Sequence, residues 1–196
     1  MNKASKIILG IDPGTVIMGY AVLSVKGSEI KLLHMDVLKL VAQKDTYQKL
    51  EIIFSKVSEL IKTYTPNMFA IEAPFYGKNV QSMLKLGRAQ GVAIAAAMQA
   101  ALPVTEYSPK KVKQSITGNG NSTKEQVFKM LQHIIKLEET PHFFDATDAL
   151  AVALCHHYAS GTVASASNKS FKGWKEFIAN NPARLINNPR LPDGQE

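Results

Sequence analysis

Four carboxylates stand where the sequence is otherwise apolar: Asp12, Glu72, Asp145 and Asp148. Asp12 closes the run Ile7-Ile8-Leu9-Gly10-Ile11, and Glu72 closes Met68-Phe69-Ala70-Ile71. Asp145 and Asp148 open the stretch from Ala149 to Cys155. A carboxylate at the edge of a buried element costs free energy unless it is paired or holds a cation. Each acid alone has an ordinary explanation: a turn residue in Asp-Pro-Gly, a solvated strand end, an N-terminal helix cap. Together they suggest one acidic site closed around metal. All-oxygen ligands select hard ions such as magnesium or manganese. Two such ions about 4 Å apart can serve both oxygens of an in-line phosphodiester displacement, with no histidine or cysteine required.

The elements that must position these acids follow from periodicity. Residues 6–12, 18–26 and 29–40 read as three strands of an antiparallel meander, with Gly14 and Gly19 shaping the first connection. Asp45 or Thr46 can cap a helix over 47–64, where Leu50, Ile53, Phe54, Val57, Leu60 and Ile61 keep helical spacing. A short buried strand is expected at 67–72, a long helix at 79–101 and a fifth strand at 103–107. Ser108 and Pro109 open a short helix. Gly118-Asn119-Gly120-Asn121 reads as a flexible turn, and Ser122 with Glu125 as the capping box of a helix to Leu137. The last helix is expected from 144 to 159, with Asp145 and Asp148 on one face of its first turn and His156 and His157 at its end. This order predicts an α/β fold, a five-stranded mixed sheet flanked by helices, whose functional groups gather at strand ends. A Ser/Ala-rich linker from Gly161 and a short tail follow the first 160 residues.

Bulk properties narrow the chemistry. The chain has 196 residues and a formal net charge of +7, which favours a polyanionic substrate only weakly. Its one cysteine, Cys155, excludes an internal disulfide and a cysteine-based zinc site, and sits among core residues. No segment is long and apolar enough to span a membrane, so a cytoplasmic protein with no membrane partner is the expectation.

The motifs also resemble a known family. Ile8 to Thr15 with Gly19-Tyr20, then Ala70-Ile71-Glu72, Lys78-Asn79, Leu84 to Gly87, Gly91 to Ile94, Glu106-Tyr107, Val112-Lys113-Gln114 and Asp145 to Ala151 occur in order. This arrangement is similar to the RuvC family of bacterial Holliday-junction resolvases, within the ribonuclease H-like superfamily, over about residues 6–159. The resemblance implies a ribonuclease H-like fold and a homodimer, packed through the helix at 79–101, that binds a four-way DNA junction. It implies symmetric, magnesium-dependent nicks, with two metal ions per site and manganese as a substitute. The family's branch-migration complex, RuvAB, is the implied partner. The family's four metal ligands fall on Asp12, Glu72, Asp145 and Asp148, its junction-centre aromatic on Phe75, and its two strand-contacting lysines on Lys113 and Lys124. Lys78, in the Phe75 loop, and Lys110, in the cluster with Lys113, are further expected DNA contacts, since lysines position phosphate without reading sequence. Ala73 and Pro74 depart from the family pattern between the glutamate and the aromatic.

Three other readings fit part of the pattern. A phosphotransferase of the actin–hexokinase kind shares Gly-Ile-Asp-x-Gly-Thr, but needs two lobes and a second phosphate hairpin that this chain lacks. A non-catalytic junction binder would not need all four acids. A ribonuclease acting on RNA would not call for the Phe75 loop or the lysine pair. The stretch Phe171-Lys172-Gly173-Trp174-Lys175 could dock on the core, touch DNA or bind a partner.

Overall fold

The computed structural model describes residues 5–40, 45–74, 79–135, 137 and 144–165, the last five by backbone alone. Met1–Gly161 forms one compact unit. Thr162–Glu196 is a second, of which only the helical residues to Ser165 are described.

The strands are β1 (Lys6–Asp12), β2 (Ile17–Lys26), β3 (Glu29–Lys39), β4 (Met68–Glu72) and β5 (Val104–Tyr107). The helices are α1 (Thr46–Tyr64), α2 (Val80–Gln99), α3 (Pro109–Thr117), α4 (Lys124–Ile135) and α5 (Phe144–Ser165). The sheet order is β3-β2-β1-β4-β5. The first three strands form the antiparallel meander, while β4 and β5 run parallel to β1, so the sheet is mixed as expected. The loose alternation of β3 has a local cause. Val22 pairs with His34 and Leu23 with Leu32, so Leu33 is an extra, exposed residue in a bulge.

Period-two alternation divides the core between the two faces of the sheet. Leu9, Ile11, Phe69 and Ile71 pack with α1 and α2 residues such as Ile53, Val57, Ala93 and Ala97. Ile8, Ala21, Leu23 and Ala70 pack with Val112, Val127, Leu131 and the α5 residues Ala149 to Cys155. Cys155 is fully buried there, as a core residue should be. Helix α5 lies directly on β1 and β2 because two glycines admit it. A Cβ at Gly10 would stand 2.4 Å from the Ala149 carbonyl oxygen, and one at Gly19 would stand 1.9 Å from that of Asp145. Gly19 therefore serves helix–sheet contact inside β2 and does not shape the turn, as its sequence neighbourhood suggests.

Other boundaries also differ from expectation. Asp45 caps α1 through Gln48 N, and Ser108 caps α3 through Lys111 N. The capping box of α4, however, is one residue late: Thr123 Oγ1 accepts from Gln126 N, and Gln126 Oε1 accepts from Thr123 N. Ser122 is unavailable because it is buried, with its hydroxyl bonded to Thr117 Oγ1 and the Asn119 carbonyl. The preceding glycine turn is correspondingly tied. Gly118 ends α3 at φ 78°, and Asn121 N donates to Asn119 Oδ1. Helix α5 runs to Ser165, so residues 161–165 of the expected linker are helical; Ala and Val there permit it. His156 and His157 consequently lie inside the helix, not at its end, and His156 is buried. Among the described residues, no helix is long and apolar enough to cross a membrane.

Candidate active site

The alternation that sorts the core also aims the acids. Ile8 and Gly10 face α5, so Asp12, two residues on, faces the same side. Met68 and Ala70 face that side too, and Glu72 continues the series. β1 and β4 are parallel neighbours with Ile11 opposite Ile71, so Asp12 and Glu72 end adjacent strands at one edge. Asp12 pairs across the sheet with Gly19, the residue on which the Asp145 backbone rests. The first turn of α5 thus brings Asp145 and Asp148 over the same strand ends. Four acids separated by up to 136 positions in the chain are gathered because two strands end and one helix begins at one place.

Their electrostatics are those of unbalanced negative charge. Burial, then the charges of Glu72, Asp148 and Asp145, push the Asp12 carboxyl well above the usual carboxylate range, against the pull of Lys124. Asp12 keeps some solvent contact as a residue, but its carboxyl is packed round on most sides, so burial leads. Glu72 is raised to about 7, first by burial and then by Asp148, against Lys124 and Lys113. The counter-charge nearest the acids is Lys124, whose Nζ donates to Asp148 Oδ2 at 2.6 Å. Burial would lower that ammonium, but the Asp148 hydrogen bond and charge, with Asp12 and Asp145 behind them, raise it. An all-carboxylate cluster that one ion-paired lysine leaves short of positive charge has the donor chemistry of a hard divalent cation site. Among the described residues no three His, Cys, Asp or Glu side chains stand close enough together to hold a metal ion.

The cleft beside the acids is lined by Glu72, Asp148, Lys113, Lys124 and Pro109. Two of the expected DNA contacts, Lys113 and Lys124, therefore face it. Lys110 does not line it; a Cβ at Gly120 would meet the Lys110 side chain at 2.6 Å, so its stem lies along the glycine turn. Phe75 and Lys78 lie outside the described residues, as do His142 and residues 171–175. One supporting residue escaped the sequence reading. Gln90, buried on α2, donates to Glu106 Oε2 at 2.8 Å and, at 3.5 Å, to the backbone carbonyl of Glu72. It holds the end of β4 where the glutamate emerges. The signal was an amide on the helix face otherwise occupied by Ala89, Ala93 and Ala97.

A β3-β2-β1-β4-β5 sheet with carboxylates at the ends of its two central neighbours, and two more on a helix laid across them, defines a ribonuclease H-like nuclease core. Comparison with known proteins narrows the class. The family model for crossover junction endodeoxyribonuclease RuvC matches residues 8–156. The crossover junction endodeoxyribonuclease RuvC of Bacteroides fragilis is 53% identical over 182 residues, covering 92% of this chain and 96% of its own. That of Christiangramia forsetii is 52% identical over 183 residues, covering 93% and 94%. Among solved structures, T. thermophilus RuvC in complex with a Holliday junction substrate superposes with a TM-score of 0.76 at 34% identity, covering 81% of this chain and 96% of that one. The chain belongs to the RuvC family.

Proposed function

We propose that this chain is a structure-selective, metal-dependent DNA endonuclease that resolves four-way junctions during recombination and repair, acting as a homodimer through paired nicks. The observation that carries the reading is the convergence of Asp12, Glu72, Asp145 and Asp148 at one strand edge, in a member of a family of metal-dependent junction endonucleases. The four carboxylates are the proposed metal ligands, with magnesium the expected ion, two per site, and manganese a substitute. When bound, the ions supply Lewis-acid charge to the attacking water and the departing oxygen. The chain's own residues do the rest. Glu72, whose carboxyl is raised to about 7 in the metal-free protein, would give up its proton on taking a metal ion. Lys113 and Lys124 line that cleft, where an ammonium can seat a phosphate of the cut strand. Phe75, Lys78 and Lys110 are the remaining proposed DNA contacts.

The dimer reading is supported by one face of α2. Val80, Leu84 and Met98 are 65%, 54% and 66% exposed, in line with Gly87 and Gly91, where an added Cβ would meet nothing. An apolar stripe left open on a helix needs a cover. Leu84→Glu is expected to give a monomer in sedimentation velocity; an unchanged dimer would move the interface elsewhere. We place the nuclease domain in residues 1–160, with α5 running on to Ser165 and an appended tail after it. Cytoplasmic action alongside the RuvAB branch-migration complex completes the proposal.

The test is cleavage of a mobile four-way junction, a matched duplex and an RNA–DNA hybrid, each with magnesium and with chelator. Paired magnesium-dependent nicks in the junction alone are expected. Cleavage of the hybrid instead would keep the metal site and overturn the substrate.

A further inference from the structure

The lysines that face the acids lie on the α3–α5 side of the sheet. The α1–α2 side carries a second basic concavity at the same end. It is lined by Thr15 and Val16 of the β1–β2 turn, by Thr46, Lys49, Leu50 and Ile53 of α1, and by Lys85 and Ala89 of α2. Because β3 and β4 run parallel to β1, the helices that follow them both begin at the acidic edge. The pocket therefore opens beside the residue pair that follows Asp12-Pro13-Gly14.

Its lining is basic and polar. It offers two ammonium groups and the hydroxyls of Thr15 and Thr46, beside the start of α1, where the Asp45 carboxylate already takes the Gln48 N–H. Among the described residues no acid lines it, and neither Lys49 nor Lys85 is ion-paired. Lys49 Nζ donates to the Thr15 carbonyl at 3.1 Å, which uses one of its three donors and holds the ammonium at the pocket wall. Leu50, Ile53 and Ala89 supply the apolar part of the lining. Two lysines that face one pocket, with no acid in its described lining, can seat an anion, and a chain acting on nucleic acid meets phosphate.

We propose that this pocket is a second backbone-phosphate site, which holds the bound DNA on the face of the sheet opposite Lys113 and Lys124. The proposal rests on the reading of the chain as a DNA endonuclease. Bracketing the acidic edge with lysines on both faces would fix the strand across the four carboxylates, where one row of lysines leaves it free to pivot.

The experiment is a salt titration of junction binding by the full chain in chelator, so that binding is read without cleavage. Lys49→Gln/Lys85→Gln should lower the slope of log K against log salt by about one, the loss of one phosphate contact. Lys85→Gln alone, which leaves the Lys49–Thr15 bond intact, should lower the slope in part. Lys49→Arg/Lys85→Arg should restore it, which a merely misfolded variant would not. A wild-type chain that binds and nicks the junction while the double glutamine variant keeps the full slope would overturn this site alone. A wild-type chain that binds no junction would overturn both this site and the endonuclease reading.

Discussion

Helix α5 carries ionisable side chains in two places, and the fold treats them in opposite ways. At its start, Asp145 and Asp148 join Asp12 and Glu72, all of one sign, with Lys124 the only cation ion-paired to them among the described residues. Two turns further on, His156 is buried against β5, and its Nδ1 is hydrogen-bonded to the Tyr107 hydroxyl at 3.0 Å. Burial, then Lys6 and His157, depresses the His156 ring, which keeps it neutral and matched to a neutral partner. Buried polarity that finds its partner is structure. Half-buried charge of one sign, left short of counter-charge, has the chemistry of a cation site, and its cost to stability marks function.

The sharpest way to break this contrast is to remove one acid. Asp12→Asn keeps the shape and removes the charge, and should cut the rate of junction cleavage by about 10³-fold or more while leaving binding in place. Cleavage at the wild-type rate would mean that the acidic end is no more catalytic than the histidine end.

The two ends should also answer pH with opposite signs in metal-free protein. Glu72 is protonated in both folded and unfolded chains below about pH 4.5 and ionised in both above about 7, so its cost to the fold appears between those values and persists above them. In full it amounts to up to about 3 kcal/mol. Glu72→Gln should therefore raise the melting temperature at pH 8 and leave it unchanged at pH 4. His156 works the other way. Its folded pKa lies below the ordinary 6.5, so acidification below that value favours the unfolded chain, which takes up the proton more readily. A thermal-melt series from pH 4 to 8 on wild type and Glu72→Gln separates the two. Equal melting at pH 8 would remove the electrostatic cost from the argument.

The acids were legible in the sequence because each interrupts an apolar run, and the strands because period two and the turn residues agree. The mixed sheet was legible in the order of elements, but the strand order, and hence the meeting of Asp12 with Glu72, shows only in the fold. What the sequence hid was contact. Gly19 looks like a turn residue until α5 is laid upon it. Ser122 looks like a cap until its hydroxyl is found inside, bonded to Thr117, and Thr123 takes its place. His156 looks like a helix-end cation, because the six residues after Ala159 that prolong α5 carry linker-like composition. Local propensity is silent on these points, since tertiary packing decides them.

Lys124 tests how far the imbalance can be pushed. Lys124→Ala removes the 2.6 Å partner of Asp148, so Asp12 and Glu72 should hold their protons still more firmly. If the same lysine seats a phosphate, the log–log salt slope of junction binding should also fall by about one. A full slope in this variant would leave Lys124 as an internal counter-ion only, with Lys113 the remaining lysine on that wall.

The smallest expected change lies at the satisfied end. Tyr107→Phe deletes one hydroxyl and leaves His156 Nδ1 buried without its partner, a loss of about 1–2 kcal/mol of stability. Tyr107 is also the register partner of Glu72, and its carbonyl accepts from Ala73 N at 2.8 Å. Those backbone links do not involve the hydroxyl, so β4 keeps its place and the cleavage rate at saturating magnesium should not change. Denaturant melts and single-turnover cleavage on the same variant measure both quantities. A fall in rate with stability intact would carry the influence of the hydroxyl through β5 to Glu72, and would join the two ends of α5 into one functional unit.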